Sequence, residues 1–184
     1  MDNSEWIVTE VDGRIASVAA DYRHFAEIAR RISALSPAAT DEVRTRKISV
    51  RDLPELDRTV RFEDLRLFGT DFQKRVWKTL YELTHPSEGR PVLLSYSEFA
   101  AKCGIPQGVR ATAHAVALNP VAFIIPCHLI IPKESSDRIK DIRSGAENTL
   151  FRGSDLYLLD TIDVGEFAYG PALKRDLIKL QFGL

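Results

Sequence analysis

Short strand-like runs near the N-terminus of the chain give way to amphipathic helical stretches, a pattern that predicts an α/β fold. Alternating apolar positions predict strands at Trp6–Val11 and Ile15–Ala19 around a turn at Asp12–Gly13. A helical stretch near His24–Leu35 follows. The charge-rich stretch Asp41–Leu67 shows no clear periodicity, so the first part of the chain is interpreted only as a small α/β subdomain.

A stronger helical pattern begins after Gly69. Apolar side chains recur at helical spacing at Phe72, Val76, Leu80 and Leu83. Thr70 or Asp71 stands just before them, and either side chain can accept hydrogen bonds from the free amides of a first helical turn. The segment is therefore predicted to be a capped amphipathic helix.

A second, shorter helix is marked by its own start and stop signals. Ser95 and Glu98 form an S-x-x-E capping box, which predicts a helix over Tyr96–Lys102. Gly104 follows that helix and is suited to close it.

A third helix is predicted from Pro106, a residue suited to a first helical turn, to Leu118, where Asn119–Pro120 stops it. Two short helices around a tight glycine turn are typical of a helix-turn-helix, in which Gly108–Leu118 would face a DNA groove. Two packed core helices of any α/β enzyme would give the same pattern. The alanine-rich second helix carries Arg110 as its cation, which favours shape-driven, weakly sequence-specific DNA contact.

An apolar run then leads to a cysteine. Val121–Ile125 followed by Pro126–Pro132 predicts a buried strand pair interrupted by a rigid turn. Cys127 in that turn is either an inert core residue, the common case for a lone cysteine, or a nucleophile whose base is the adjacent His128. The run by itself leaves both interpretations open.

Composition restricts the classes of function. Lys and Arg number 25 against 26 Asp and Glu, so the net charge of -1 excludes a bulk polycation and confines any nucleic-acid contact to a local surface. The two cysteines are too few for a disulfide framework, which favours a reduced, intracellular protein. His24 and His85 lack acidic or thiol neighbours at ligand spacing, so we expect neither a metal nor a cofactor.

The N-terminal residues Met1–Glu10 are polar and acidic, without the features of a signal peptide. No stretch approaches the roughly 20 apolar residues that cross a bilayer. We therefore expect no membrane association and a cytoplasmic or nuclear location.

Several segments resemble those of a known family, and their order and separations fit from Gly69 through Pro132. They are Gly69-Thr70-Asp71-Phe72-Gln73, Val76-Trp77, Ser95-Tyr96, Pro106, Val109-Arg110-Ala111, Asn119-Pro120, Ile124-Ile125-Pro126-Cys127-His128, Phe167-Ala168-Tyr169-Gly170, Lys174 and Leu177-Ile178. The family is that of the O-alkylguanine-DNA alkyltransferases, also called methylated-DNA-protein-cysteine methyltransferases. The resemblance implies an α/β N-terminal subdomain over 1–68 and a winged-helix-like domain over 69–184, with an insertion at about 133–166.

The resemblance also implies an activity. Cys127 would accept an alkyl group from the oxygen at position 6 of guanine in double-stranded DNA, once per protein molecule, without a cofactor. The target nucleotide must be rotated out of the duplex. His128 would activate the thiol through a water, Tyr96 would crowd the phosphate and donate a proton to the guanine, and Gln181 stands where the family has a glutamate that pairs with the histidine.

Further roles follow from the resemblance alone. Arg110 would fill the space left by the rotated nucleotide, and Asn119 would brace the cysteine turn. The remaining DNA-facing residues would be Ser95, Gly108, Ala111 and His114, and the guanine pocket would include Phe167, Ala168, Tyr169 and Lys174. Apart from the resemblance, Arg110 is interpreted as a phosphate contact, Tyr96 as a packing residue and His114 as a surface or packing residue.

The chain departs from the family pattern at several points. Leu129 replaces an arginine, which questions domain docking more than chemistry. Gln181 is neutral and cannot stabilise a protonated imidazole, so we expect slow transfer. The insertion Lys133–Glu166 holds eight acidic and five basic residues, so it would repel phosphate unless it folds away from the groove. Leu150–Leu159 is apolar enough to pack, so we expect the insertion to cover part of the protein, either to narrow the pocket or to bind a partner.

Two other functions compete with repair. One is a sensor that binds alkylguanine without efficient transfer. The other is a protein-interaction module derived from the same fold. We expect a monomer that binds double-stranded DNA.

Overall fold

The structure is a computed structural model, and it describes residues 5–20, 26, 29–30, 42–85, 92–144 and 158–184. The helix expected near His24–Leu35 falls mostly outside the described residues and stays a prediction. Among the described residues, no helix is long and apolar enough to cross a bilayer.

The N-terminal strands form an antiparallel hairpin. Strand β1 (Glu5–Val11) pairs with β2 (Arg14–Ala19). The φ angles of Asp12 and Gly13 are 51° and 73°, and two consecutive left-handed residues are what a tight hairpin turn requires. Both predicted strands and their turn are confirmed. Strand β3 (Val43–Ser49) pairs with the other edge of β1, giving the order β2-β1-β3.

The charge-rich stretch that showed no periodicity contains both β3 and a short helix, α1 (Leu53–Thr59). Most of β3 is exposed, so no alternation of apolar residues marks it. Helix α1 buries Leu53 and Asp57. A carboxylate on the buried side of a helix breaks the apolar stripe by which helices are recognised.

Helix α2 (Asp71–Tyr81) begins where the sequence predicts. The Thr70 hydroxyl accepts from the backbone N–H of Gln73 at 3.2 Å, and the Gln73 amide oxygen accepts from the N–H of Thr70 at 2.9 Å. This capping box satisfies amides that the first turn leaves unpaired. The helix buries Val76, Trp77 and Leu80, so the predicted amphipathic face is confirmed.

Strand β4 (Leu94–Ser95) leads into α3 (Tyr96–Lys102), which has the predicted bounds and the predicted Ser95 cap. The next helix, α4 (Val109–Ala117), begins later than predicted. The residues before it form a turn in which the N–H of Gly108 donates to the carbonyl of Ile105 at 2.8 Å. Pro106 therefore belongs to the turn, and the prediction that it opens the helix is wrong.

The strand pair predicted after α4 is also wrong. Residues 121–125 form isolated bridges, which include one from Val121 to Val18 of β2, and Cys127–Leu129 forms a 3₁₀ turn. Strand β5 (Ile130–Ile131) follows and runs parallel to β4. The run is apolar because the core encloses it, and burial alone does not require an extended backbone.

The first part of the insertion is a helix, α5 (Lys133–Ser144). It buries Ile139, and Ser136 and Lys140 bond to the Glu98 carboxylate of α3. Burial opposes ionisation, but these bonds and those from Ser95 lower the pKa of Glu98 to about 2. The expectation that the insertion packs on the protein is confirmed for α5, whereas Leu150–Leu159 lies largely outside the described residues.

Helix α6 (Pro171–Gln181) is the last helix in the described part of the chain. A contiguous hydrophobic cluster joins the first sheet to the helices that follow it, with Trp6 and Val18 packed in the same core as Trp77 and Leu177. The boundary proposed at residue 68 stays a prediction. This common core fixes the end of α4, the cysteine turn and α6 relative to one another.

Candidate active site

The turn that carries Cys127 is held by the side chain of Asn119. The amide nitrogen of Asn119 donates to the carbonyl of Ile125 at 2.7 Å and to the Sγ atom of Cys127 at 3.2 Å. The amide oxygen accepts from the backbone N–H of Val121 at 3.0 Å. Asn119 thus ties both arms of the turn to the end of α4, which fixes the position of the sulfur.

The backbone of this turn is strained. Phe123 has a φ of 74°, a conformation that costs a bulky residue about 1–3 kcal/mol. The side chain of Phe123 is fully buried and stacks on the imidazole of His128, with ring centroids 5.4 Å apart and planes 13° apart. Because this packing holds Phe123 in place, the reversal of the chain before Cys127 is maintained.

Cys127 lines an open cavity of about 290 Å³ beside α4. Its volume lies close to the lower end of the ~300–1,000 Å³ typical of small-molecule sites. The walls come from α3, α4, the cysteine turn and the loop before α6, through Tyr96, Ala113, Val116, Ala117, Asn119, Cys127, Glu166, Phe167 and Ala168. A flat, mostly apolar group could therefore reach the sulfur.

The thiol is not activated by its immediate surroundings. Burial raises the pKa of Cys127, and the hydrogen bond from Asn119, the charge of Lys174 and nearby backbone amides oppose that rise only in part. Because the thiolate is the reactive form, Cys127 needs a base to act as a nucleophile at neutral pH.

The adjacent imidazole is sealed on the other side of the turn. His128 is fully buried. Burial, followed by the charge of Lys174, lowers the pKa of His128 to about 3, while Gln181 acts in the opposite direction. Neither ring nitrogen has a hydrogen-bond partner among the described residues. The imidazole is therefore neutral at physiological pH and can accept a proton, but only as a weak base.

A buried ammonium group completes the sealed side. Lys174 is 1% exposed, and its Nζ atom donates to the carbonyl of Ile130 at 2.7 Å. Burial lowers the pKa of Lys174 to about 8, although Cys127 and Asp163 oppose this. Its charge favours the thiolate of Cys127 over the thiol.

Comparison with known proteins finds a family model that is similar to part of this chain. The model of the 6-O-methylguanine DNA methyltransferase DNA-binding domain matches residues 71–149. The resemblance to the alkylguanine-DNA alkyltransferases is confirmed. The match includes the Ser95 cap, helix α4 and the cysteine turn, but not the loop before α6 that also lines the cavity.

Two curated relatives are similar over the same domain. A probable methylated-DNA-protein-cysteine methyltransferase of Acanthamoeba polyphaga mimivirus is 43% identical over 72 residues, which are 39% of this chain and 45% of the relative. A methylated-DNA-protein-cysteine methyltransferase of Mycobacterium bovis is 46% identical over 68 residues, or 37% of this chain and 38% of the relative. The matched region thus spans less than half the length of each of these two curated relatives.

A solved structure extends the similarity of fold. The O6-methylguanine-DNA methyltransferase from the archaeon Pyrococcus kodakaraensis aligns over 98% of this chain and 94% of its own, with a TM-score of 0.55 and 18% identity. The predicted α/β architecture with a helix-turn-helix domain is therefore the alkyltransferase fold.

The residues expected to face DNA divide into two groups. Arg110, Ala111 and His114 are exposed on α4, and Gly108 precedes that helix. Ser95 differs because it is 1% exposed and its hydroxyl is bonded to Glu98. The structure therefore corrects the expectation for Ser95, whose side chain caps α3 and is not presented to a ligand.

The expected guanine pocket needs a similar correction. Phe167, Ala168 and Asn119 line the cavity, but Tyr169 and Lys174 do not. Tyr169 packs on Trp6 with ring centroids 5.9 Å apart, and the Lys174 ammonium is bonded to backbone carbonyls. Both positions follow from the family resemblance, and a matched motif does not decide which side chain reaches a cavity.

Leu129 and Gln181, which stand where the family has an arginine and a glutamate, lie in different surroundings. Leu129 is fully buried in the hydrophobic core, so an apolar residue suits that site. Gln181 lies beside His128, where its contact raises the pKa of the imidazole. Gln181 is therefore a neighbour of the imidazole, and its role there stays a prediction.

Two polar residues at the site were missed. Glu166 lines the cavity and helps to raise the pKa of Tyr96, after burial and the charge of Cys127. Asp57 of α1 bonds to Gln181. The available signal for Asp57 was its helical spacing from Leu53 and Val60, which puts a carboxylate on an apolar stripe.

Proposed function

We propose that the protein transfers an alkyl group from the oxygen at position 6 of guanine in double-stranded DNA to Cys127, once per molecule. The observation that carries the proposal is the cavity that Cys127 shares with Tyr96 and Asn119, beside the second helix of the pair. The similarity of this domain to methylated-DNA-protein-cysteine methyltransferases supports it.

The reaction needs a soft nucleophile and a proton path. The sulfur of Cys127 attacks the alkyl carbon, the S–C bond forms as the C–O bond breaks, and the electron pair passes to the guanine oxygen. The thiol proton moves to His128, directly or through one water. Tyr96 gives a proton to the departing guanine and regains one from solvent, while His128 releases the thiol proton to solvent, so the products are a thioether and guanine. Burial raises the pKa of Tyr96, which keeps this donor protonated.

The alkylated base must leave the duplex before it can reach Cys127, at an expense of a few kcal/mol for unstacking. Arg110 is exposed on α4 and is long enough to occupy the vacated space. The small exposed residue Ala111 allows the helix to approach the backbone closely. Transfer should be slow, because the pKa of His128 is low and its neighbour Gln181 is uncharged.

The test is a single-turnover mass measurement. The protein is incubated with a duplex that carries one O6-methylguanine, and the intact protein is weighed. We expect a gain of one methyl group per molecule, which is absent in Cys127→Ala and retained in the matched control Cys103→Ala, since Cys103 is the other cysteine. A Cys127→Ala variant that still gains the methyl group, or a wild type that never does, would rule out the assignment.

The sensor function is the second candidate, and the electrostatics of the site favour it over the interaction module. The pKa of Cys127 is raised and that of His128 is lowered, so both shifts oppose proton transfer between them. Preferential binding of the alkylated duplex without any mass gain is the outcome that supports this function.

A further inference from the structure

Asp57 is a buried carboxylate that contacts the proposed active site from a distant part of the chain. It lies on α1, is 7% exposed, and accepts a hydrogen bond at its Oδ2 atom from the Nε2 atom of Gln181 at 3.1 Å. Its Oδ1 atom is buried without a hydrogen-bond partner and lies 3.6 Å from the Nε2 atom of His85. Removing a carboxylate from water is unfavourable unless hydrogen bonds or an opposite charge compensate for the lost hydration.

The bond to Asp57 determines the orientation of Gln181. A carboxylate only accepts hydrogen bonds, so the amide nitrogen of Gln181 must be the atom that faces Asp57. The amide oxygen is then free for the other neighbour, which is the His128 imidazole. That oxygen and both ring nitrogens of His128 are buried without hydrogen-bond partners. An acceptor and a donor, each lacking a partner, therefore lie on neighbouring side chains.

We propose that Asp57 is a positioning residue of the thiol-activating relay. Its carboxylate holds Gln181 so that the amide oxygen accepts the N–H of one His128 ring nitrogen, which leaves the other ring nitrogen as the acceptor for the Cys127 proton. The negative charge of Asp57 acts on the imidazole through Gln181, whereas a glutamate at position 181 would place a negative charge directly beside the ring. This inference rests on the proposed function and explains how a chain with glutamine at position 181 retains a charged relay.

The groups around Asp57 determine when this relay is charged. Burial raises the pKa of Asp57 to about 6, while His85 and the hydrogen bond from Gln181 oppose that rise. Tyr81 stacks on His85, and beyond Gln181 lie His128 and then Lys174. Asp57 is therefore ionised at neutral pH and becomes protonated near the acid end of the working range.

The first experiment measures the rate of methyl transfer from an O6-methylguanine duplex between about pH 5.5 and about pH 9.5. Asp57→Asn keeps the shape of the side chain but removes the charge. We expect its rate near neutral pH to fall about tenfold, as a rise of about one unit in the thiol pKa would cause. At the alkaline end the thiolate forms without help, so the rates should converge with those of the wild type.

A charge-relocating double variant separates positioning from mere structure. Combining Asp57→Asn with Gln181→Glu moves the carboxylate next to His128, and we expect it to restore at least the wild-type rate. Glu55→Gln, an exposed carboxylate on the same helix, is the matched control and should leave the profile unchanged. Gln181→Met breaks the relay from the other end and should reproduce the alkaline shift; thermal unfolding confirms that each variant is folded.

A second readout does not depend on DNA. Carbamidomethylation of Cys127 by iodoacetamide, followed by mass in a Cys103→Ala background, reports the thiol pKa directly through its dependence on pH. If Asp57→Asn shifts this profile while the wild type transfers no methyl group, the relay stands and the proposed function fails. If transfer occurs and Asp57→Asn leaves both pH–rate profiles unchanged, the relay is wrong and the proposed function stands. The same conclusion follows if Asp57→Asn lowers both rates by the same factor at every pH and Gln181→Glu does not restore them.

Discussion

The two sides of the Cys127 turn, one open and one sealed, differ in their side chains and in their exposure to solvent. On the open side, Tyr96, Phe167 and Ala168 form the wall of a solvent-accessible cavity. On the sealed side, His128 and Lys174 are at most 1% exposed. Charges interact far more strongly where water is excluded, so the open side suits recognition by shape, while the sealed side adjusts the reactivity of the sulfur.

The largest predicted effect is on the pH dependence of the free energy of unfolding, because burial keeps His128 on the sealed side neutral. The unfolded chain binds a proton on this residue near its ordinary pKa of 6.5, whereas the folded chain does so only at about 3. The folded state therefore loses stability as the pH falls through this window, by about 2 kcal/mol between about pH 7 and about pH 5. His128→Phe should remove that loss, as measured by urea unfolding at both pH values.

The comparison must be made between variants, because Asp57 acts in the opposite direction. Its pKa is raised to about 6, so its contribution to stability is present at low pH and is lost as the pH rises through that value. The exposed His114, changed to Gln, is the control. If the free energy of unfolding depends on pH equally in the wild type and in His128→Phe, burial does not keep His128 from binding a proton in the folded state.

The next effect is expected at Asn119, which joins the two sides. Asn119→Ala removes three hydrogen bonds and leaves the amide of Val121 unpaired, while the carbonyl of Ile125 keeps the bond from the backbone N–H of Cys127. We expect the free energy of unfolding to fall by about 1–2 kcal/mol. Iodoacetamide should also react more slowly with Cys127, since a hydrogen bond to the thiolate is lost.

Asn119→Asp sharpens this result. It retains an acceptor for Val121 but has no donor, and it places a negative charge beside the sulfur, so the thiol pKa should rise further than in Asn119→Ala. A loss of stability below about 0.5 kcal/mol in Asn119→Ala would mean that the turn is held by its burial and not by this side chain.

The smallest effect on the fold is expected on the open side at Arg110. Because this side chain is exposed on α4, Arg110→Ala should change stability by no more than about 0.5 kcal/mol. Duplex binding should weaken, and the slope of log affinity against log salt should decrease by about 1 if Arg110 meets a phosphate. Lys78→Ala on α2 is the control, and equal salt slopes for both variants would place Arg110 away from DNA.

The parts of the fold that depend on neighbours in sequence were predictable. The bounds of α3 follow from the pairing of Ser95 with Glu98, and α2 begins at the Thr70 cap. The β1–β2 hairpin follows from its Asp12–Gly13 turn. In each case the residues that stabilise the element lie within a few positions of one another, so the local sequence pattern is enough to predict it.

The cysteine turn was predicted in identity but not in shape. The apolar run around Cys127 signals burial, and it was interpreted as a strand pair. The structure contains a strained bend at Phe123 and a 3₁₀ turn instead. Burial constrains what surrounds a residue, whereas the backbone path is fixed by partners such as Asn119 and Val18.

The sequence by itself determined the helix pair, the family of the domain and the adjacency of Cys127 and His128, because those features are local or carried by matched motifs. Only the tertiary structure decided that Lys174 lies outside the cavity and that Asp57 meets Gln181, 124 positions away in the chain. Such contacts result from packing two distant helices on one core. Their energy depends on burial and distance, and neither quantity can be read from the order of residues.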